Sequence, residues 1–147
     1  MSEMNVIKLT RRILRKVAVV DIVYAEIASE GAMGNDGRII LYVLKNELLT
    51  RYETNIFEDK KNYERALKLL IKKQKGPIID YSQTDPNLFE YQYGGVGNHV
   101  FINKNVTLID QGSYFTFNRN DKEYSIFCSV TGVYNCVSYA LNPSKDS

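Results

Sequence analysis

His99, Cys128 and Cys136 are the only imidazole and thiols in the chain, so any covalent chemistry has to start from them. A thiol nucleophile needs a base to take its proton and a third group to orient that base, and His99 and Asp110 could fill those roles. The spacing argues for something milder. Cys128 alternates with Tyr124, Ile126 and Val130 on the apolar side of a predicted strand, and Cys136 adjoins Val133, Val137, Ala140 and Leu141. Thiols in such surroundings are usually packing groups with no activated thiolate. His99 follows a glycine-rich stretch and reads as a loop or sheet-edge residue. With no CxxC and one histidine, neither a metal site nor a cofactor is expected.

Gly31, Gly34 and Gly37 have the spacing G-x-x-G-x-x-G. A phosphate-binding loop must present its amides at the start of a helix, where the dipole reinforces them. Here the next residues read as a strand and no Lys-Ser/Thr pair follows, so the loop reads as a connection between strands. As a glycine-rich loop carrying Met33, Asn35 and Asp36 it is also a candidate contact site. Among the carboxylates, Asp21, Glu26 and Glu30 are expected near the mouth of this loop, and Asp80 and Asp85 in the next long one. Their spacing does not mark an acid–base pair.

The tyrosines are more informative. There are eleven, and no tryptophan. Tyr81, Phe89, Tyr91 and Tyr93 fall in a span, 77–98, punctuated by Pro77, Pro86, Gly94, Gly95 and Gly97, where little regular structure is predicted. Tyrosine offers a large contact area with little side-chain entropy to lose, which suits a protein interface. The acidic residues at 80–90 would repel phosphates, so base stacking is a poorer fit.

The elements that must position these groups start with 54–77. Tyr63, Ala66, Leu67, Leu70 and Ile71 form a one-sided stripe at the helical period. Asn55 and Glu58 resemble a capping box, Lys72, Lys73 and Lys75 suit the C-terminal end, and Gly76-Pro77 stops the helix. A second, short basic helix is predicted over 4–16, with Val6, Leu9 and Ile13 on its apolar side. Residues 17–28 are β-branched and read as a buried strand or as a continuation of that helix. Strands are expected at 39–44 and 48–54, joined by a tight turn, and at 99–102, 106–110, 113–117 and 123–130. A short helix over 133–141 closes the chain. The whole is expected to be an α+β fold: an antiparallel β-sheet packed against a central amphipathic helix, with short N- and C-terminal helices. One domain spans 1–147, with 1–3 and 143–147 loose.

Net charge is +2, too small to imply a polyanion partner by itself. The charge is uneven, with 15 Lys/Arg against 10 Asp/Glu in residues 1–75 and 4 against 7 in residues 76–147. Two cysteines do not make a disulfide framework, which points to a reducing compartment. The basic block 8–16 before the apolar run 17–28 loosely mimics an export signal, but Asp21 and Glu26 interrupt it, so a cytoplasmic protein is expected. No uncharged apolar run is long enough to span a membrane.

Three functions follow in order of preference. The first is a non-enzymatic protein-binding module, of the inhibitor or immunity type that masks a partner protein, using Tyr81, Phe89, Tyr91 and Tyr93 with Met33, Asn35 and Asp36. The second is a small hydrolase or transferase using His99 with a cysteine or carboxylate. The third is nucleic-acid binding through Lys8, Arg11, Arg12, Arg15 and Lys16.

Overall fold

An unbroken run of buried side chains, 39–44, marks the strand at the centre of the protein. The computed structural model describes residues 5–28, 38–55, 65, 68, 88–92 and 98–128. In chain order these form β1 (Asn5–Lys8), α1 (Arg11–Lys16), a single 3-10 turn (Val19–Asp21), β2 (Ile22–Ala28), β3 (Arg38–Lys45), β4 (Leu48–Asn55), β5 (Leu88–Gln92), β6 (Asn98–Asn103), β7 (Ile109–Asp110), β8 (Phe115–Arg119) and β9 (Lys122–Ile126). Six strands make one sheet in the order β1-β4-β3-β2-β6-β5, and β7-β8-β9 make a second. All pairs are antiparallel except β1 with β4.

Both faces of the large sheet are covered, so its inner strands are apolar on both sides and lose the two-residue alternation of a half-exposed strand. One face of β3, Ile40, Tyr42 and Leu44, packs with Val23, Tyr24, Val100 and Ile102 against the second sheet, which contributes Phe115, Phe117, Tyr124 and Ile126. The other face, Ile39, Leu41 and Val43, packs with Ile22, Ala25, Ile27 and Phe101 under Leu9, Leu14 and Val19 from the N-terminal segment. Ile22 pairs with Val43 but Tyr24 pairs with Tyr42, so Val23 is an extra residue. This bulge places both Val23 and Tyr24 on the side of the second sheet.

The β3–β4 turn uses Asn46 and Glu47 and the β8–β9 turn uses Asn120 and Asp121, all four in the left-handed region at φ 52° to 64°. Two successive residues of that kind make the turn whose twist matches a hairpin. The two turns are tied together. The Lys122 ammonium and the Tyr124 hydroxyl both donate to the Glu47 carbonyl, at 3.2 and 3.3 Å.

The expected α+β arrangement is overturned. Most described residues are strands in two sheets, and the helical ones are the six residues of α1, the 3-10 turn, Arg65 and Lys68. No central helix covers the sheet among the described residues, since its two faces are taken by the second sheet and by the N-terminal segment. Of the predicted helix 57–75, only Arg65 and Lys68 are described, both helical and exposed; the rest lies outside the described residues, as does the predicted helix 133–141. The helix predicted over 4–16 divides into β1 and α1. Pairing of 5–8 with β4, extended by the Leu9 amide to the Glu53 carbonyl at 2.7 Å, outweighs the helical spacing of Val6, Leu9 and Ile13. Helix starts only at Arg11, where the Thr10 hydroxyl accepts from the Ile13 amide at 3.3 Å. Residues 22–28 are strand, which resolves the ambiguity of 17–28. The hairpin and the strands at β6 and β8 stand where the sequence places them, within a residue or two; the strand expected over 123–130 ends at Ile126, with Phe127 and Cys128 outside it, and of 106–110 only the last two are strand.

Candidate functional site

Tyr24 and Glu26 project from β2 on the side of the second sheet, Tyr42 from β3 and Arg51 from β4. Phe127 and Cys128, just past β9, close over them. Glu26 is a carboxylate only 2% exposed, and its neighbours across the ladder are Ile40 and Val100. Burying such a charge costs several kcal/mol, on the order of the desolvation penalty of one ion, so its polar contacts matter. The Tyr24 hydroxyl donates to Glu26 Oε2 at 3.0 Å and also lies 3.2 Å from Cys128 Sγ.

A second set of bonds adjoins the first. The Tyr42 hydroxyl donates to the Phe127 carbonyl at 2.9 Å and accepts from the Phe127 amide at 3.0 Å. It also accepts from the Arg51 guanidinium at 2.9 Å, and Arg51 Nε donates to Glu53 Oε1 at 3.1 Å. The rings of Tyr24 and Tyr42 meet edge to face at 6.0 Å, and the guanidinium lies over the Tyr42 ring at 5.6 Å. One tyrosine thus grips the backbone of residue 127 and the other meets the thiol of residue 128.

Electrostatics set the protonation states. Burial, then the Glu26 charge, pushes the Cys128 thiol up to about 12. Burial, followed by Glu26 and Cys128, also raises Tyr24 well above the ordinary phenol. Tyr42 is raised by burial, against the opposing pull of the Phe127 backbone and Arg51. Burial works against the charge of Arg51, but Tyr42, Glu53 and Glu26 outweigh it and hold the guanidinium protonated. Near neutral pH the cluster therefore contains a thiol, two phenols and a guanidinium. It has no thiolate, so it is not a nucleophilic centre in this state.

The residues singled out from the sequence fall in several places. His99 is buried on β6, and its ring stacks on Phe101 at 6.2 Å. Phe101 belongs to the face covered by the N-terminal segment, whereas Cys128 packs against the opposite face. The sheet itself separates base from thiol. Asp110, on β7 of the second sheet, accepts from the Gly112 amide at 2.8 Å. Asp21 sits in the 3-10 turn before β2 and Glu26 near the far end of that strand, so these two carboxylates do not converge. Phe89 and Tyr91, predicted in a loop, lie on β5, paired with Ile102 and Val100. Tyr81, Tyr93, Met33, Asn35, Asp36, Glu30, Asp80, Asp85 and Cys136 lie outside the described residues.

Tyr24, Tyr42 and Arg51 were not marked as site residues by the sequence. The signal available was Glu26, a carboxylate inside the apolar part of the β-branched run 17–28, where a buried acid survives only if hydrogen-bonded. Among the described residues no cluster of three or more His, Cys, Asp or Glu could hold a metal ion. None of their helices is long and apolar enough to cross a membrane.

The backbone gathers another set of positions. Ala28 pairs with both Arg38 and Asn98, Arg38 with Asn55, and Gln92 with His99. The ends of β2, β4 and β5 and the starts of β3 and β6 are thus side by side at one end of the sheet. The connections 29–37 and 93–97 both leave from there. Comparison with protein-family models, with curated proteins and with solved structures finds no significant match.

Proposed function

We propose that the protein is a non-enzymatic protein-binding module, an inhibitor or immunity-type protein that masks a partner, and that its contact surface is built at the end of the sheet from which 29–37 and 93–97 depart. The observation that carries this reading is the register: Ala28, Arg38, Gln92 and Asn98 are laterally adjacent, so the attachment points of the loop with Met33, Asn35 and Asp36 and of the loop that begins with Tyr93 are neighbours. Tyr91 stands on β5 beside the second of these. Loops fixed on a rigid sheet are where recognition residues are commonly placed. The separation of His99 from Cys128 and the firmly protonated thiol speak against a His99–Cys128 pair; Cys136 lies outside the described residues. The free thiol of Cys128 fits a reducing, cytoplasmic setting.

The test is a tagged pull-down from the native cell followed by reconstitution with the purified co-purifying protein. A stoichiometric complex is expected, weakened at least about tenfold in the combined Tyr91→Ala/Tyr93→Ala variant and by Asp36→Ala to a smaller degree. Undiminished binding by these variants would remove the surface. Bound nucleotide or metal in place of a protein would remove the function.

A further inference from the structure

β1 is the end strand of the six-stranded sheet among the described residues, with β4 on one side. Its parallel ladder fixes which backbone groups face outward. The Leu9 amide points into the sheet, to the Glu53 carbonyl, so Asn5 and Ile7 point the same way and the Val6 amide and carbonyl point away. All four side chains of β1 are exposed, with Val6 at 57% and Ile7 at 41%. A sheet edge with exposed Val6 and Ile7 and no proline is a template for another strand, and of Asn5–Lys8 only Lys8, at its end, is charged.

The neighbouring charge is one-signed. Arg12, Arg15 and Lys16 are exposed on α1, the first turn of the helix carries no acid, and among the described residues none pairs with these three. Ile7 pairs with Tyr52, whose ring packs on the same cluster as Ile13 and Leu14 of α1, so the Ile7 side chain and the helix share a face of the sheet.

We propose that the outer edge of β1 accepts an extended acidic segment of a partner protein as an added strand, its backbone pairing with Val6 and its carboxylates meeting Arg12, Arg15 and Lys16. Strand addition supplies main-chain hydrogen bonds, and the flanking cations select the sign of the incoming side chains. Other occupants fit less well. A bilayer would leave the outward Val6 amide and carbonyl unpaired in hydrocarbon. Nucleic acid would find no aromatic ring between residues 5 and 20 to stack on. A second copy joined edge to edge would bring the same cations against each other. This surface is independent of the loop end of the sheet, and either can fail without the other.

The experiment titrates the full chain against a labelled short peptide of alternating glutamate and valine, followed by fluorescence anisotropy, with the lysine–valine peptide as control. The acidic peptide is expected to bind, the basic one not. Val6→Pro deletes an outward donor while sparing the β1–β4 ladder, and weakens binding by about tenfold or more with an unchanged thermal midpoint. The triple variant Arg12→Glu/Arg15→Glu/Lys16→Glu does the same. In the wild-type chain, hydrogen exchange at the Val6 amide slows when the acidic peptide is added. No binding at low salt overturns the proposal, as does binding that is equal in Val6→Pro and leaves Val6 exchange unchanged. A dimer abolished by Val6→Pro, or anionic vesicles or duplex DNA bound in preference to the acidic peptide, assigns the edge to another occupant and overturns it too.

Discussion

On one face of the six-stranded sheet, Leu9, Leu14 and Val19 lie over Ala25, Ile27 and Leu41; on the other, Phe115, Phe117 and Ile126 lie over Val23, Ile40 and Val100. Both are apolar seals, but the second also encloses a carboxylate, a thiol, two phenols and the edge of a guanidinium. The N-terminal cover has neutral fastenings. The Asn103 amide donates to the Val20 carbonyl of the 3-10 turn at 3.3 Å, and the Thr10 hydroxyl caps α1. Apolar burial is non-directional and fixes how much surface is covered, whereas the Tyr42–Phe127 pair fixes which residue of the second sheet ends where. Directional bonds set the register of the three-stranded second sheet on the first, here and where Lys122 and Tyr124 donate to the Glu47 carbonyl.

The largest effects should come from emptying either seal. Phe117→Ala is expected to cost about 3–5 kcal/mol and Leu14→Ala about 2–5 kcal/mol in urea denaturation, because both side chains are almost wholly buried. Equal losses from the two would show that the faces contribute alike through packing. The difference between the faces lies in the next prediction. Tyr42→Phe deprives the Phe127 amide, the Phe127 carbonyl and Arg51 of one shared partner and should cost about 1–3 kcal/mol. Tyr24→Phe, which strips a donor from buried Glu26, should fall in the same range of about 1–3 kcal/mol. On the other face, Thr10→Ala should cost about 1 kcal/mol, as an ordinary helix cap does.

The two faces should also differ in alkali. In the unfolded chain the Cys128 thiol gives up its proton near pH 8.5, roughly the value of a free cysteine. In the folded chain it keeps that proton to about 12. Between these limits the folded state binds more protons, so stability is intact below about pH 8.5 and falls as pH rises. Raised Tyr24 and Tyr42 act in the same direction at higher pH. Cys128→Ala should flatten the first part of that decline in pH-dependent urea titrations.

How far the sequence showed this design depends on the range of the interactions. The β3–β4 hairpin was legible because Ile40, Tyr42 and Leu44 alternate with residues that also suit a strand, and because a two-residue turn follows. β2 was ambiguous because burial on both faces erases its period, leaving β-branched content as the one cue. β1 was misread because residues 5–8 continue the helical spacing of α1, and only the distant β4 decides between them. The sheet face of Cys128 was legible from the alternation of Tyr124 and Ile126. Its partner Tyr24, 104 residues away, was not, because no local pattern records a contact made between two sheets.

The inter-sheet cluster has the bonding of a closed fastening, with a buried, protonated thiol, and not that of a reaction centre. In a Cys136→Ser background, the rate of Cys128 alkylation by iodoacetamide at pH 8 tests this directly. The native chain should react far more slowly than the urea-unfolded chain, and Tyr42→Phe should speed the native reaction in step with the stability it loses. Native Cys128 reacting as fast as the unfolded thiol, or faster, would mean an open and activated thiolate, and would return the cluster to the list of catalytic sites.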